Sequence, residues 1–149
     1  MTEKKTTIEL KKLNKKFGDI IAVNNVSLKI SENDFFTILG PSGCGKSTIL
    51  RLIAGLEVQD SGAVIINNKD SSFVQANERP VNMVFQSYAL FPHLSVRDNI
   101  EFGLKLKKIS NIDIKIRVEE ILELVKMNGY DFKLPSELSG GQRQRVALA

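Results

Sequence analysis

The chain has 149 residues, of which 42% are apolar and 26% charged, a balance that suits one soluble globular domain. Its net charge of +4 comes from 21 Lys and Arg against 17 Asp and Glu, spread without any basic cluster interleaved with aromatics, so a solvated surface is expected and no nucleic-acid partner. The single cysteine excludes an internal disulfide, no apolar run is long enough to cross a bilayer, and the start Met1-Thr2-Glu3-Lys4-Lys5 carries no apolar signal segment, so a cytosolic place is expected.

Ile8, Leu10 and Leu13 mark a first strand-like segment, and Val23, Val26, Leu28 and Ile30 a second. The turn Ser31-Glu32-Asn33-Asp34 leads into Phe35-Phe36-Thr37-Ile38-Leu39, whose length and flanking turn residues predict a buried strand. Gly40 to Gly45 reads as a loop, followed by a helix over Lys46 to Ala54 with Ile49, Leu50 and Ile53 on one side. Turn residues at Asp60-Ser61-Gly62 and Asn67-Asn68-Lys69-Asp70 bracket a short strand, Ala63 to Ile66. Val81 to Phe85 reads as a strand ending at Gln86.

Beyond it the pattern turns helical. Ser95 with Asp98 forms a capping-box pattern that opens a helix through Ile100 and Leu104. Ile114, Val118, Ile121, Leu122 and Val125 recur at helical spacing, with Gly129 as the expected C-terminal cap. The layout is mixed α/β: β-rich sequence, a glycine-rich loop with its helix, then a helical segment, without a clear linker.

Gly40-Pro41-Ser42-Gly43-Cys44-Gly45-Lys46-Ser47 satisfies the phosphate-loop pattern G-x-x-x-x-G-K-[ST], and Thr48 follows. Polyphosphate needs several backbone N–H donors converging on it, which requires a tight loop with no side chains in the way; Gly43 and Gly45 permit that. A helix starting near Lys46 adds its positive end, the Lys46 ammonium reaches the terminal phosphates, and the Ser47 hydroxyl is a candidate Mg²⁺ ligand. The alternative is a chance glycine-rich turn, but an apolar run before it and an amphipathic helix after it are the context that the pattern demands.

Leu138-Ser139-Gly140-Gly141-Gln142 precedes Arg143-Gln144-Arg145-Val146-Ala147-Leu148-Ala149. Read locally, Ser139 and Gln142 are an S-x-x-Q capping box and nothing more. A helix start with two adjacent glycines is also a good anion site, because its N–H groups are unhindered.

With the phosphate loop at 40–48 and Leu-Ser-Gly-Gly-Gln at 138–142, the chain resembles the ATP-binding cassette family over essentially its whole length. The resemblance implies a P-loop NTPase cassette of the α/β class: an N-terminal antiparallel β subdomain, a RecA-like core that is incomplete here, and a helical signature subdomain. Its expected division is 1–85 for the β-rich and P-loop core, 86–142 for the glutamine loop and helical subdomain, and 143–149 for the start of a helix returning to the core. It further implies ATP and Mg²⁺ as ligands and a head-to-tail dimer in which Ser139 and Gly141 contact nucleotide on the other copy. Gln86 matches the glutamine loop, which touches Mg²⁺ and senses the membrane subunits, so Lys46 and Gln86 are the candidate catalytic residues. Phe17 stands where the family places a ring that stacks on adenine. His93, the only histidine, is read as a surface residue near the transporter contact.

The segment Arg79 to His93, with Gly103-Leu104-Lys105 after Asn99-Ile100, is similar to importer ATPases, most of all the spermidine/putrescine type; importers for sugars, sulfate and ferric iron share much of it. Permease subunits, an indirect extracytoplasmic solute-binding protein and a peripheral place on the cytoplasmic membrane face are the implied surroundings. A non-transport cassette ATPase is the alternative. The sequence stops at Ala149, before the family's strand ending in Asp-Glu and before its switch histidine, so the 149 residues are expected to bind nucleotide weakly and to hydrolyse it negligibly.

Overall fold

Leu10 and Leu13 are three residues apart in one strand, so strict alternation would send them to opposite faces of a sheet. Both are buried. In the computed structural model, which describes residues 5–85 and 88–149, the conflict is resolved by a bulge. Lys12 takes a left-handed conformation (φ 46°), its N–H donates to the Ser27 hydroxyl at 2.9 Å, and the register slips between Leu10 and Leu13. The extra residue turns both leucines inward.

This strand, β1 (Thr6–Phe17), forms an antiparallel hairpin with β2 (Ile20–Ser31). On its other edge it pairs antiparallel with β3 (Ser61–Ile66), which turns through Asn67 and Asn68 into the two-residue β4 (Lys69–Asp70). Both turn residues have positive φ, 49° and 62°, which asparagine tolerates and a two-residue hairpin turn requires. The sheet order is β2-β1-β3-β4. Where β3 passes the β1 bulge stands Gly62 (φ 89°), and a Cβ there would lie 2.4 Å from the Lys12 carbonyl oxygen. The expected antiparallel β-rich start is therefore present.

Helix α1 (Lys46–Ala54) packs Ile49, Leu52 and Ile53 into one cluster with Leu10, Leu13, Val23, Val64 and Ile66. Each such side chain, fully buried, stabilises by roughly 1.5–3 kcal/mol. Leu50 was expected on the buried side, but it is 47% exposed and Leu52 takes its place, because the core lies along the 49–52–53 stripe. Arg79, in the loop after β4, is buried against the last turn of α1.

Two expected strands are absent. Phe35 to Leu39 has no strand structure, and Phe35 and Leu39 are 98% and 86% exposed. Val81 to Phe85 is likewise irregular. A strand exists only with a hydrogen-bonded neighbour, and among the described residues β1 to β4 pair with one another and with neither segment.

The chain divides into two compact units, Met1–Met83 and Val84–Ala149, and the second is helical. Its helices are α2 (Val96–Leu106), α3 (Asn111–Leu124) and α4 (Gly140–Leu148). The Ser95 hydroxyl accepts from the Asp98 N–H at 3.1 Å and that of Ser110 from the Asp113 N–H at 3.2 Å, so α2 opens on its expected cap and α3 on an equivalent one. Ile114, Val118 and Leu122 of α3 share a core with Val96, Met127, Leu138 and Val146. Helix α3 ends at Leu124, earlier than Gly129: Lys126 turns left-handed (φ 55°) and the Met127 N–H closes on the Leu122 carbonyl at 2.8 Å. Gly129 belongs to the next turn.

Candidate functional site

The phosphate loop joins the 35–39 segment to α1, and its last glycine is dictated by the sheet beneath. Gly45 caps α1 with φ 90°, and a Cβ on it would lie 2.1 Å from the Ala22 carbonyl oxygen of β2. Only glycine lets the loop descend that closely onto the strand. Helices α2, α3 and α4 each begin with a serine hydroxyl accepting a first-turn N–H. Helix α1 has no capping side chain and no acidic residue in its first turn. Among the described residues its positive end thus has no side-chain counterpart, the condition under which a helix start can take an anion.

Lys46 folds back over the loop, its Nζ donating to the carbonyls of Gly40 at 2.9 Å and Pro41 at 2.6 Å, with the Cys44 Sγ at 3.5 Å. These contacts hold the ammonium against the start of the loop. Ser42, Gly43, Cys44 and Ser47 are exposed, Thr48 half-buried.

Phe17, the last residue of β1, is 46% exposed. It borders the same hollow as the loop: about 190 Å³, walled on one side by Phe17, Ile20 and Ala22 and on the other by Gly43, Lys46 and Thr48. The structure therefore brings together an aromatic ring and a glycine-rich loop that the sequence separates by more than twenty residues. A larger hollow, about 930 Å³, lies over the strands β1 to β3; of its three lysines, Lys11 and Lys29 are engaged by Glu9 at 3.5 and 3.2 Å. Those two ammonium groups hold the Glu9 carboxyl below the usual carboxylate range, Lys29 most strongly.

In the helical unit the 138–142 segment is both structural and open. The Ser139 hydroxyl accepts from the Gln142 N–H at 3.3 Å, and the Gln142 side-chain oxygen accepts from the Ser139 N–H at 2.8 Å, a complete capping box. The box engages neither the Gly140 nor the Gly141 N–H, both first-turn groups without a partner in the helix. Leu138 is 4% exposed and anchors the turn in the core, whereas Ser139 and Gly141 are exposed. A Cβ on Gly140 or Gly141 would meet nothing within 4 Å among the described residues, so nothing described requires glycine at either place.

Gln86 lies outside the described residues. His93 is exposed, its ring centroid 6.1 Å from that of Phe91. For Mg²⁺ the chain offers the Ser47 hydroxyl, a hard oxygen donor, and among the described residues no cluster of three or more His, Cys, Asp or Glu. Such a donor set fits a cation held mainly by oxygens of a bound polyphosphate. Sequence reasoning missed Lys15, whose partners lie more than forty residues on, and Arg79, which joins the nearby Ser72 and Val74 carbonyls to the distant end of α1; the glycine at 55, ending α1, was a hint that a side chain approaches there.

Residues 23–149 match the family model described as "ABC transporter". The chain is 51% identical over 142 residues to the spermidine/putrescine import ATP-binding protein PotA of Nitrosomonas eutropha, covering 95% of this chain and 39% of that protein. Against the protein of the same name from Thermotoga maritima the identity is 53%, again over 95% of this chain and 39% of the relative. The chain thus spans about two fifths of the length of these relatives. Among solved structures, a dimeric post-hydrolysis state of the ATP-binding cassette MJ0796 bound to ADP and Pi superposes with a TM-score of 0.84 at 35% identity, covering 95% of this chain and 67% of that one.

Proposed function

The chain belongs to the ABC transporter family, and from that premise we propose that its first unit binds ATP, with the triphosphate in the Gly40–Thr48 loop and adenine on Phe17. The observation that supports this reading best is the hollow shared by Phe17 and the loop. Backbone N–H groups and the start of α1 bind the phosphates, Lys46 neutralises the terminal ones, and the ring supplies affinity with little base selectivity. Ser47, with Gln86, would hold Mg²⁺, which when bound offsets phosphate charge.

For the protein as a whole we propose an ATPase that drives polyamine import through a membrane permease, peripheral on the cytoplasmic membrane face, with a solute-binding protein as an indirect partner. Its PotA relatives support that substrate class. Among the described residues no helix is long and apolar enough to cross a membrane. Two copies would close head to tail, the open glycine turn at 140–141 of each approaching the nucleotide of the other, and Gln86 would relay closure to the permease. The exposure of Ser139 and Gly141 supports this arrangement, as does the absence, among the described residues, of any contact that demands glycine at 140 or 141.

Titration of the chain with Mg-ATP, with Phe17→Ala and Lys46→Ala in parallel, tests the first proposal. Binding that survives Lys46→Ala undiminished would refute it. Uptake of labelled spermidine by cells carrying the full protein and its permease tests the second, and uptake of a sugar in its place would refute the polyamine assignment.

A further inference from the structure

Phe17 is not a free-standing ring. The Lys15 Nζ lies over it, 5.0 Å from the ring centroid. That ammonium is itself fixed: it donates to the Val58 carbonyl at 2.7 Å, pairs with Glu57 at 2.9 Å and stands 3.7 Å from Asp60. Its side chain is 12% exposed, far less than is usual for a lysine. Asp60 also accepts the N–H of Lys16 at 2.6 Å, tying the same loop to the strand between Lys15 and Phe17. The hollow beside the phosphate loop is lined by Phe17 but not by Lys15. The ring therefore has the ammonium over it and also borders the open hollow.

We propose that Lys15 is a positioning residue for the nucleotide base: clamped by Glu57, Asp60 and the Val58 carbonyl, it holds the Phe17 ring toward the hollow and polarises it for stacking against a purine. The proposal rests on Phe17 as the base platform. A cation over one side of an aromatic ring draws its electron density that way and leaves the ring less repulsive to the electron-rich face of a base. The clamp also removes the rotamer freedom that an exposed phenylalanine would lose on binding. Hydrogen bonding to Glu57, with the charge of that carboxylate and of Asp60, raises the Lys15 pKa above the ordinary lysine value, so the ammonium is charged throughout the neutral range.

The test is calorimetric titration of the full chain with Mg-ATP and, separately, with Mg-loaded inorganic triphosphate, which has no base. Lys15→Met, keeping the stem and removing the charge, should weaken ATP binding about two- to five-fold, the equivalent of an exposed cation–π contact. Triphosphate affinity should not change, Lys15→Arg should restore ATP binding, and Lys15→Met should add nothing in a Phe17→Ala background. Glu57→Gln, which loosens the clamp with little change in volume, should give the same selective loss. Equal weakening of ATP and triphosphate, or no change in either, overturns the proposal. If Phe17→Ala weakens ATP while Lys15→Met does not, Lys15 alone is misassigned; if Phe17→Ala has no effect on ATP, the base platform itself is wrong and the role of Lys15 falls with it.

Discussion

The Arg79 Nη1 donates to the carbonyl oxygens of both Leu52 and Ile53, at 2.7 and 3.0 Å, and so closes the C-terminal end of the helix that begins at the phosphate loop. Its Nε reaches the Val74 carbonyl at 2.8 Å and its Nη2 that of Ser72 at 3.3 Å. No carboxylate takes part among these acceptors, and burial pushes the guanidinium pKa down from its usual value. A cation among the last carbonyls of a helix is favourably placed, and the planar fork serves all four acceptors together. Arg79→Met should cost about 3 kcal/mol of stability, because it strands buried carbonyls that accept charge-assisted bonds. Arg79→Lys should recover only part of it; urea denaturation measures both.

Gly45→Ala should be worse than its single methyl suggests. The left-handed backbone is strained for alanine and the methyl would press into the Ala22 carbonyl, so a loss of about 1–3 kcal/mol is expected together with impaired ATP binding. Thermal unfolding and nucleotide titration on the same preparation report both effects.

Lys46→Ala should leave stability within about 0.5 kcal/mol, since the ammonium rests on loop carbonyls that water can reach. ATP affinity should fall about ten- to a hundred-fold, the worth of one charge-assisted contact to phosphate.

Ser139→Ala removes half of the capping box and should cost about 1 kcal/mol. Ser139→Arg should leave ATP binding to the loop intact but block ATP-dependent dimerisation of the full protein, visible by size-exclusion chromatography. A fully active Ser139→Arg protein would refute the role of this turn toward a second copy.

The Glu57 carboxyl is held below the usual range, chiefly by its hydrogen bond from Lys15. A carboxyl depressed in the folded state stabilises above its unfolded pKa, about 4.5, and that contribution disappears as pH falls through the lower folded value. Stability should therefore decline below about pH 4.5, and Glu57→Gln should flatten that part of the curve. Denaturation midpoints between pH 3 and 7 would show it.

What the sequence disclosed and what it concealed divide by the range of the interactions. The caps at Ser95 and Ser139 and the whole extent of α1 were legible, because a serine three residues before its partner, or a lysine after the last loop glycine, decides them locally. Phe35 to Leu39 and Val81 to Phe85 have strand composition, yet pairing is a property of neighbours, and none of the described strands adjoins them. Leu50 and Leu52 differ by half a helical turn, and only the position of the sheet decides which is inside. Phe17 could be placed by pattern, but the ammonium over its ring depends on a loop forty residues away. Arg79 heads the importer-like segment, but its bonds were not legible, since its acceptors are main-chain oxygens that any residue could supply.

The bulge at Lys12 works as a notch in the edge of β1, and Gly62 is the only tooth of β3 slim enough to sit in it. Sliding β3 by one step in either direction would drive Ser61 or Ala63 against the Lys11 and Lys12 carbonyls, so the two strands index to a single alignment. That alignment delivers Glu57 and Asp60, just upstream of β3, to Lys15. A glycine of β3 thereby fixes the loop whose carboxylates hold the Lys15 ammonium over the Phe17 ring.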